Sequence, residues 1–155
     1  MPTYEGDFST PVGRFALVAA RFNAFVVDAL VAGAIDALSR HGVAGDAIDL
    51  VRVPGSYEIP LVARRLGSTK QYAAIIALGA VIKGDTDHYD YVAGAAANGI
   101  AQASLAADTP VIFGILTCDT LEQAINRAGA KAGNKGFEAA VTAVEMANLL
   151  RSLPS

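Results

Sequence analysis

The chain has 155 residues, the size of a single domain, and a net charge of −3 with no cluster of Lys and Arg, which disfavours nucleic-acid binding. Its one cysteine, Cys118, cannot form an internal disulfide, Met1 to Thr10 is polar and acidic rather than a basic-then-apolar leader, and the longest apolar run, Tyr72 to Ile82, falls short of the ~20 residues that span a bilayer, so a cytoplasmic location is expected. The charged fraction is 17%, below the ~25% usual in soluble domains, so that either part of the surface is buried against other copies of the chain or an Ala-rich core carries a bland surface.

Residues 1–10 precede the first core strand, and Thr10-Pro11 makes a break after them. They form an arm, either a frayed tail or an edge strand added to a neighbouring subunit; residues 11–155 form one domain. Phe15–Ala20 has strand character. A helix follows, with Val27, Leu30, Val31, Ala34, Ile35 and Leu38 on one stripe, Asn23 as its N-cap, His41 in its last turn and Gly42 at C′. Ile48–Val53 is the second strand. The next helix opens at Ser56 and carries Ile59, Val62 and Leu66, with Pro60 tolerated near its first turn. Ala73–Ile82 is the third strand, followed by a helix through Val92, Ala95, Ala96, Gly99, Ile100 and Ala103. Val111–Thr117 is the fourth. A short helix starts at Thr120 with a capping box completed by Gln123. The last helix runs from about Lys135 to Leu150 through Phe137, Val141, Val144 and Asn148.

The strand runs are near-continuously apolar, as expected of parallel strands covered on both faces. Alternation of strand and helix implies right-handed βαβ units. The predicted fold is a three-layer αβα sandwich of flavodoxin-like type on a four-stranded parallel sheet.

Ligands of open α/β sheets bind at the carboxyl ends of the strands. The residues there are Arg21-Phe22-Asn23, Pro54-Gly55-Ser56-Tyr57-Glu58, Lys83-Gly84-Asp85-Thr86-Asp87-His88 and Thr117-Cys118-Asp119. The turn Gly84-Asp85-Thr86 leads into a helix, where free N–H groups suit a phosphate, or it is an ordinary turn capped by Thr86. His88, two residues before Asp90, is either a proton-transfer group or a solvated turn histidine. Glu58 either takes part in the site or only complements a helix dipole. Arg127 and Lys135 flank a Gly-rich connection that is either a flexible loop or a presenter of two cations to an anion. Cys118 has no histidine close in sequence, which disfavours it as a nucleophile. The residues alone point to a rim pocket for a phosphorylated small molecule and leave the reaction open.

In combination, Val53-Pro54-Gly55-Ser56-Tyr57-Glu58-Ile59-Pro60, Ala77-Leu78-Gly79-Ala80-Val81-Ile82-Lys83-Gly84, His88-Tyr89-Asp90-Tyr91-Val92 and Arg127-Ala128-Gly129 resemble the lumazine synthase family, over nearly the whole chain. The resemblance implies a transferase that condenses 5-amino-6-(D-ribitylamino)uracil with 3,4-dihydroxy-2-butanone 4-phosphate, without metal or redox cofactor, in the penultimate step of riboflavin biosynthesis. It implies that Phe22 stacks on the pyrimidine, with Asn23 also a substrate-binding residue. Ser56, Tyr57 and Glu58 would hold the ribityl chain, and main-chain groups at Ala80, Val81 and Ile82 would read the pyrimidine edge. Asp85 and Thr86 would bind phosphate and His88 would transfer protons. Phe113, Arg127 and Lys135 would enter from the adjacent subunit, Arg127 pairing with the phosphate. Two departures stand out: Lys83-Gly84-Asp85-Thr86 where the family commonly reads Arg-Gly-Glu-Thr, and Cys118 where it often has Thr.

The family assembles as pentamers, decamers or sixty-subunit capsids, and the short connection from Gly129 to Gly136 resembles the capsid formers. Riboflavin synthase is a further partner that the resemblance admits. Competing readings are a flavin-carrying module on the same sheet and a shell protein with a vestigial pocket; His88, Arg127 and Lys135 speak against the second, since a shell alone needs none of them.

Overall fold

Four parallel strands in the order β2-β1-β3-β4 form one sheet, comprising β1 (Arg14–Ala20), β2 (Ile48–Val53), β3 (Tyr72–Ile82) and β4 (Val111–Cys118). The computed structural model describes residues 1–155 except Thr86, Asp87 and the side chain of Asp85. Among the described residues, five α-helices connect and cover the strands: α1 (Ala24–Arg40), α2 (Ile59–Ser68), α3 (Tyr89–Ala107), α4 (Leu121–Arg127) and α5 (Lys135–Ser152). The expected αβα sandwich on a four-stranded parallel sheet is the one observed.

Side chains alternate across each strand, so a fully apolar strand feeds two cores at once. Phe15, Leu17 and Ala19 of β1, with Ala74, Ile76, Leu78, Ala80 and Ile82 of β3, pack under α1 and α5. Ala16, Val18 and Ala20, with Ile75, Ala77 and Val81, pack under α2 and α3. Large side chains such as Leu17, Ile76 and Leu78 are wholly buried, and each such burial contributes about 1.5–3 kcal/mol.

β2 departs from the expectation of strands covered on both faces. It is an edge strand, with Leu50 and Arg52 exposed and only Val53 fully buried. Its polar residues serve the edge instead. Asp49 accepts hydrogen bonds from the Tyr72 hydroxyl at 2.6 Å and from Arg14 at 2.7 Å, tying β2, β1 and β3 together. The phenol is the main reason the Asp49 carboxyl lies below its ordinary pKa, and the carboxylate holds the Tyr72 hydroxyl above its own.

The helix boundaries follow the chemistry of the ends. The Thr120–Gln123 capping box opens α4, and Asn134 accepts from the Phe137 N–H to open α5. Gly42 takes φ +87° after α1, the left-handed geometry expected of a C′ glycine. Ser56 opens a 3-10 turn, Ser56–Glu58, that runs directly into α2, with Pro60 within the first two helical positions. Asn23 is a correction. It stands at the N-cap of α1, but its side chain makes no cap bond; it is committed elsewhere.

The N-terminal arm forms no strand in its own chain. Asn148 of α5 donates to Asp7 and to the Ser9 carbonyl, and the Phe8 ring lies 6.4 Å from His41 at the end of α1.

Candidate functional site

The cavity at the carboxyl ends of β1 and β3 is built by backbone continuation. The β1–β2 ladder runs past both strands: the Arg21 N–H donates to Val53 and the Phe22 N–H to the Pro54 carbonyl, at 2.8 and 3.0 Å. The segment after β1 is therefore fixed beside the segment that begins Pro54-Gly55-Ser56. Asn23 then adopts φ 62°, a left-handed geometry that Asn tolerates better than most side chains, and its amide donates to the Ala80 carbonyl at 2.8 Å. That bond is why Asn23 does not cap α1. It pins the Phe22 turn across the end of β3.

Ser56 reaches β3 from the other side. It is buried, and a Cβ on Gly79 would lie 2.4 Å from its hydroxyl. Gly79 is thus the position where the strand backbone must lack a side chain for the 3-10 turn to close against it. A mid-strand glycine ordinarily weakens a strand; here it admits the floor of a cavity.

The cavity has a volume of about 290 Å³ and is walled by Phe22, Asn23, Gly55, Ser56, Tyr57, Glu58, Ala80, Val81, Ile82 and Val92. Phe22 and Tyr57 are 59% and 62% exposed, so two aromatic faces stand free at the mouth. The end of β3 and the buried Ser56 also border the cavity, with the Glu58 carboxyl close to Gly55. A flat polar ring with a hydroxylated tail meets all of these: aromatic face, backbone donors and acceptors, hydroxyl and carboxylate.

The structure therefore brings together Phe22, Asn23, Ser56, Tyr57, Glu58, Ala80, Val81 and Ile82. Gly55, within the rim stretch that the sequence points to, also lines the wall, and so does Val92, which the sequence pattern places only on a helix stripe. Its position in the first turn of α3, just past the β3 rim, is the signal that it also faces the site. His88 stands at the N-cap of α3, exposed, with its ring 6.4 Å from that of Tyr91, and does not line this cavity. Lys83 to Asp85 form a 3-10 turn at the end of β3. Thr86 and the Asp85 side chain, both expected at the phosphate, lie outside what the structure describes.

Three expected site residues sit apart from the cavity. Phe113, in register with Ala77, is part-buried on the α2/α3 face of β4, an edge strand. Arg127 ends α4 and Lys135 begins α5. None of the three lines the cavity. Cys118, buried at the end of β4, does not line it either. Among the described residues no group of His, Cys, Asp and Glu is arranged to hold a metal ion, and no helix is long and apolar enough to cross a membrane.

The model of the 6,7-dimethyl-8-ribityllumazine synthase family matches residues 13–151. The match takes in every strand, all but the last residue of α5, and the whole cavity wall. On that span, the chain belongs to the 6,7-dimethyl-8-ribityllumazine synthase family of enzymes.

Proposed function

We propose that the chain condenses 5-amino-6-(D-ribitylamino)uracil with 3,4-dihydroxy-2-butanone 4-phosphate, releasing phosphate and water, as the penultimate step of riboflavin biosynthesis. The observation that carries this is the wall of the cavity. An exposed aromatic, Phe22, stands with the main chain of Ala80–Ile82 and with Ser56 and Glu58, the residues a ribitylaminouracil needs for ring stacking, edge recognition and its polyol tail.

The chemistry needs no metal or redox cofactor. The 5-amino group adds to the ketone and water leaves, giving an imine. Loss of a carbon-bound proton and of the phosphate gives an enol. After its rearrangement to a ketone, the ribityl-bearing nitrogen closes the second ring with loss of a second water. His88 at the rim moves the protons. The leaving group is supplied by the substrate itself. Holding two substrates in one cavity can contribute several of the ~7–11 kcal/mol available from orientation.

Phosphate binding falls to Asp85 and Thr86 through backbone N–H groups, and to Arg127 and Lys135, which with Phe113 come from an adjacent subunit. The cavity wall in one chain contains none of Phe113, Arg127 and Lys135, which fits their entry from a neighbour. Leu61 of α2 and Tyr91 and Leu105 of α3, all 70% exposed or more, support a helix face covered by other copies. The assembly is a homo-oligomer of pentamers, with a sixty-subunit capsid favoured by the short Gly129–Gly136 connection. It works in the cytoplasm, and riboflavin synthase is a candidate partner. The N-terminal arm adds as a strand to an open sheet edge of a neighbour.

Incubating the protein with both substrates and following the fluorescence of the lumazine tests the proposal. Formation of a fluorescent product that requires both substrates is expected. A protein that purifies yellow with bound FMN and shows no turnover would be a flavin carrier, and the proposal would be wrong.

A further inference from the structure

The geometry points to Asn134 as the positioning residue of the Arg127/Lys135 cation pair. Ala128 and Asn134 form an isolated antiparallel bridge, which closes the Gly-rich connection into a loop of residues 129–133. Arg127, the last residue of α4, directly precedes Ala128, and Lys135, the first residue of α5, directly follows Asn134. The two cations therefore stand at the neck of one closed loop rather than at the ends of a loose connection.

Asn134 uses both its side-chain donors and one of its acceptor positions there. Its amide nitrogen donates to the Ala29 carbonyl of α1 at 3.0 Å and to the Ala128 carbonyl at 3.2 Å, while its oxygen accepts from the Phe137 N–H at 3.0 Å. One side chain thus ties the residue after Arg127, the first turn of α5 that carries Lys135, and the middle of α1. The loop is folded back on α4 as well: the Lys131 and Ala132 N–H groups donate to the Asn126 carbonyl.

Gly33 makes room for this clamp, and Gly129 beside it takes a left-handed backbone. A Cβ on Gly33, inside α1, would lie 2.3 Å from the Asn134 oxygen, and one on Gly129, at φ +112°, would lie 3.4 Å from its nitrogen. A glycine in the middle of a helix is ordinarily a loss relative to alanine. At Gly33 it admits the Asn134 amide against the α1 backbone. The sequence pattern alone gives this glycine no other use.

The assignment rests on the proposed reading of Arg127 and Lys135 as the cations that meet the substrate's phosphate. Asn134 touches no substrate; it acts by fixing the backbone on either side of the two cations. Asn134→Ser separates this role from simple helix capping. Serine keeps the N-cap acceptor of α5 and loses both amide donations. Gly33→Ala attacks the same clamp from α1, where helix propensity alone predicts a gain in stability.

The experiment measures KM for each substrate, kcat, melting temperature and deuterium uptake across residues 129–133 in the assembled enzyme, for Asn134→Ser, Gly33→Ala and Arg127→Ala. For the first two variants, KM for the butanone phosphate should rise about tenfold, as a misaligned charge-assisted contact predicts. KM for the uracil should stay within about twofold, and uptake in the loop should quicken. Equal changes in both KM values, or unchanged uptake in Asn134→Ser, would overturn the assignment. If Arg127→Ala leaves the butanone phosphate KM untouched while Asn134→Ser still quickens uptake, the phosphate reading of Arg127 has failed and the clamp on the loop stands.

Discussion

At the scale of single residues, the site depends on what is missing from β3 as much as on what projects from its neighbours. Gly79→Ala would place a methyl 2.4 Å from the Ser56 hydroxyl, inside any real contact distance. Because Ser56 is buried against the strand, the turn carrying Tyr57 and Glu58 must shift to relieve the clash. Overpacking of this kind costs about 1–3 kcal/mol, measurable by urea denaturation, and KM for the uracil should rise with it. Adding Ser56→Gly should restore most of the stability; losses that simply add would show that the two positions do not compete for space. His88 poses a different question, since it stands at the rim and not in the cavity wall. If it carries the proton transfers, His88→Ala should lower kcat by ~10²–10⁴-fold with little change in either KM. An unaltered kcat would remove it from the chemistry.

At the scale of elements, β2 shows how an edge strand is held when one of its faces is not fully covered. Its anchor is the Asp49 carboxylate, bonded by Tyr72 and Arg14. The folded carboxyl lies below its ordinary value, chiefly because Tyr72 donates to it, so its stabilisation is present above the unfolded pKa of ~3.9 and is lost as pH falls through the lowered folded value. Tyr72 is raised, chiefly by the same bond, so its share is present below the unfolded value near ~10 and is lost as pH rises through the folded one. Tyr72→Phe should therefore be less stable than the parent at neutral pH, with the gap narrowing toward both extremes. A gap that stays constant from acid to alkaline pH would mean that packing, not the hydrogen bond, is what the hydroxyl supplies. Most of the elements are legible in the sequence for one physical reason. β1, β3 and β4 are apolar along nearly their whole length because helices cover both sides, and the Thr120–Gln123 box marks its helix by chemistry that acts within four residues. The Asp49 network and the Asn23–Ala80 bond are not legible, because each joins residues more than twenty positions apart through side chains whose local pattern suggests a strand polar residue and a helix cap. The site follows the same division. Residues that follow directly on strand ends are found by topology, whereas the Ala128–Asn134 bridge that closes the connection between Arg127 and Lys135 is announced by no periodicity.

At the scale of the whole molecule, one chain holds two groups of proposed site residues that it does not itself bring to one cavity. Phe22, Ser56 and Glu58 line the pocket at the β1 and β3 rim, with His88 at the head of the adjoining helix. Phe113 lies on the edge strand β4, and Arg127 and Lys135 lie where α4 passes into α5. In the proposed assembly the site completes itself across a subunit boundary, and the unit of function would be a pair of neighbours in a ring. This has a consequence that a site within one chain would not share. A His88→Ala enzyme and an Arg127→Ala enzyme should each be nearly inactive, because every boundary in either ring lacks one of the two groups. In rings containing both variants, some boundaries join the intact His88 of one copy to the intact Arg127 of the next. For random mixing of equal amounts, about a quarter of the boundaries would carry both groups, the product of two one-half chances, and activity should recover toward that fraction of the parent. Co-expression, with mixed rings verified by mass spectrometry of the intact assembly, measures it. Mixed rings as inactive as the separate variants would place the whole site within one chain, and Phe113, Arg127 and Lys135 would then have to reach the cavity by a rearrangement of β4 and the α4–α5 connection.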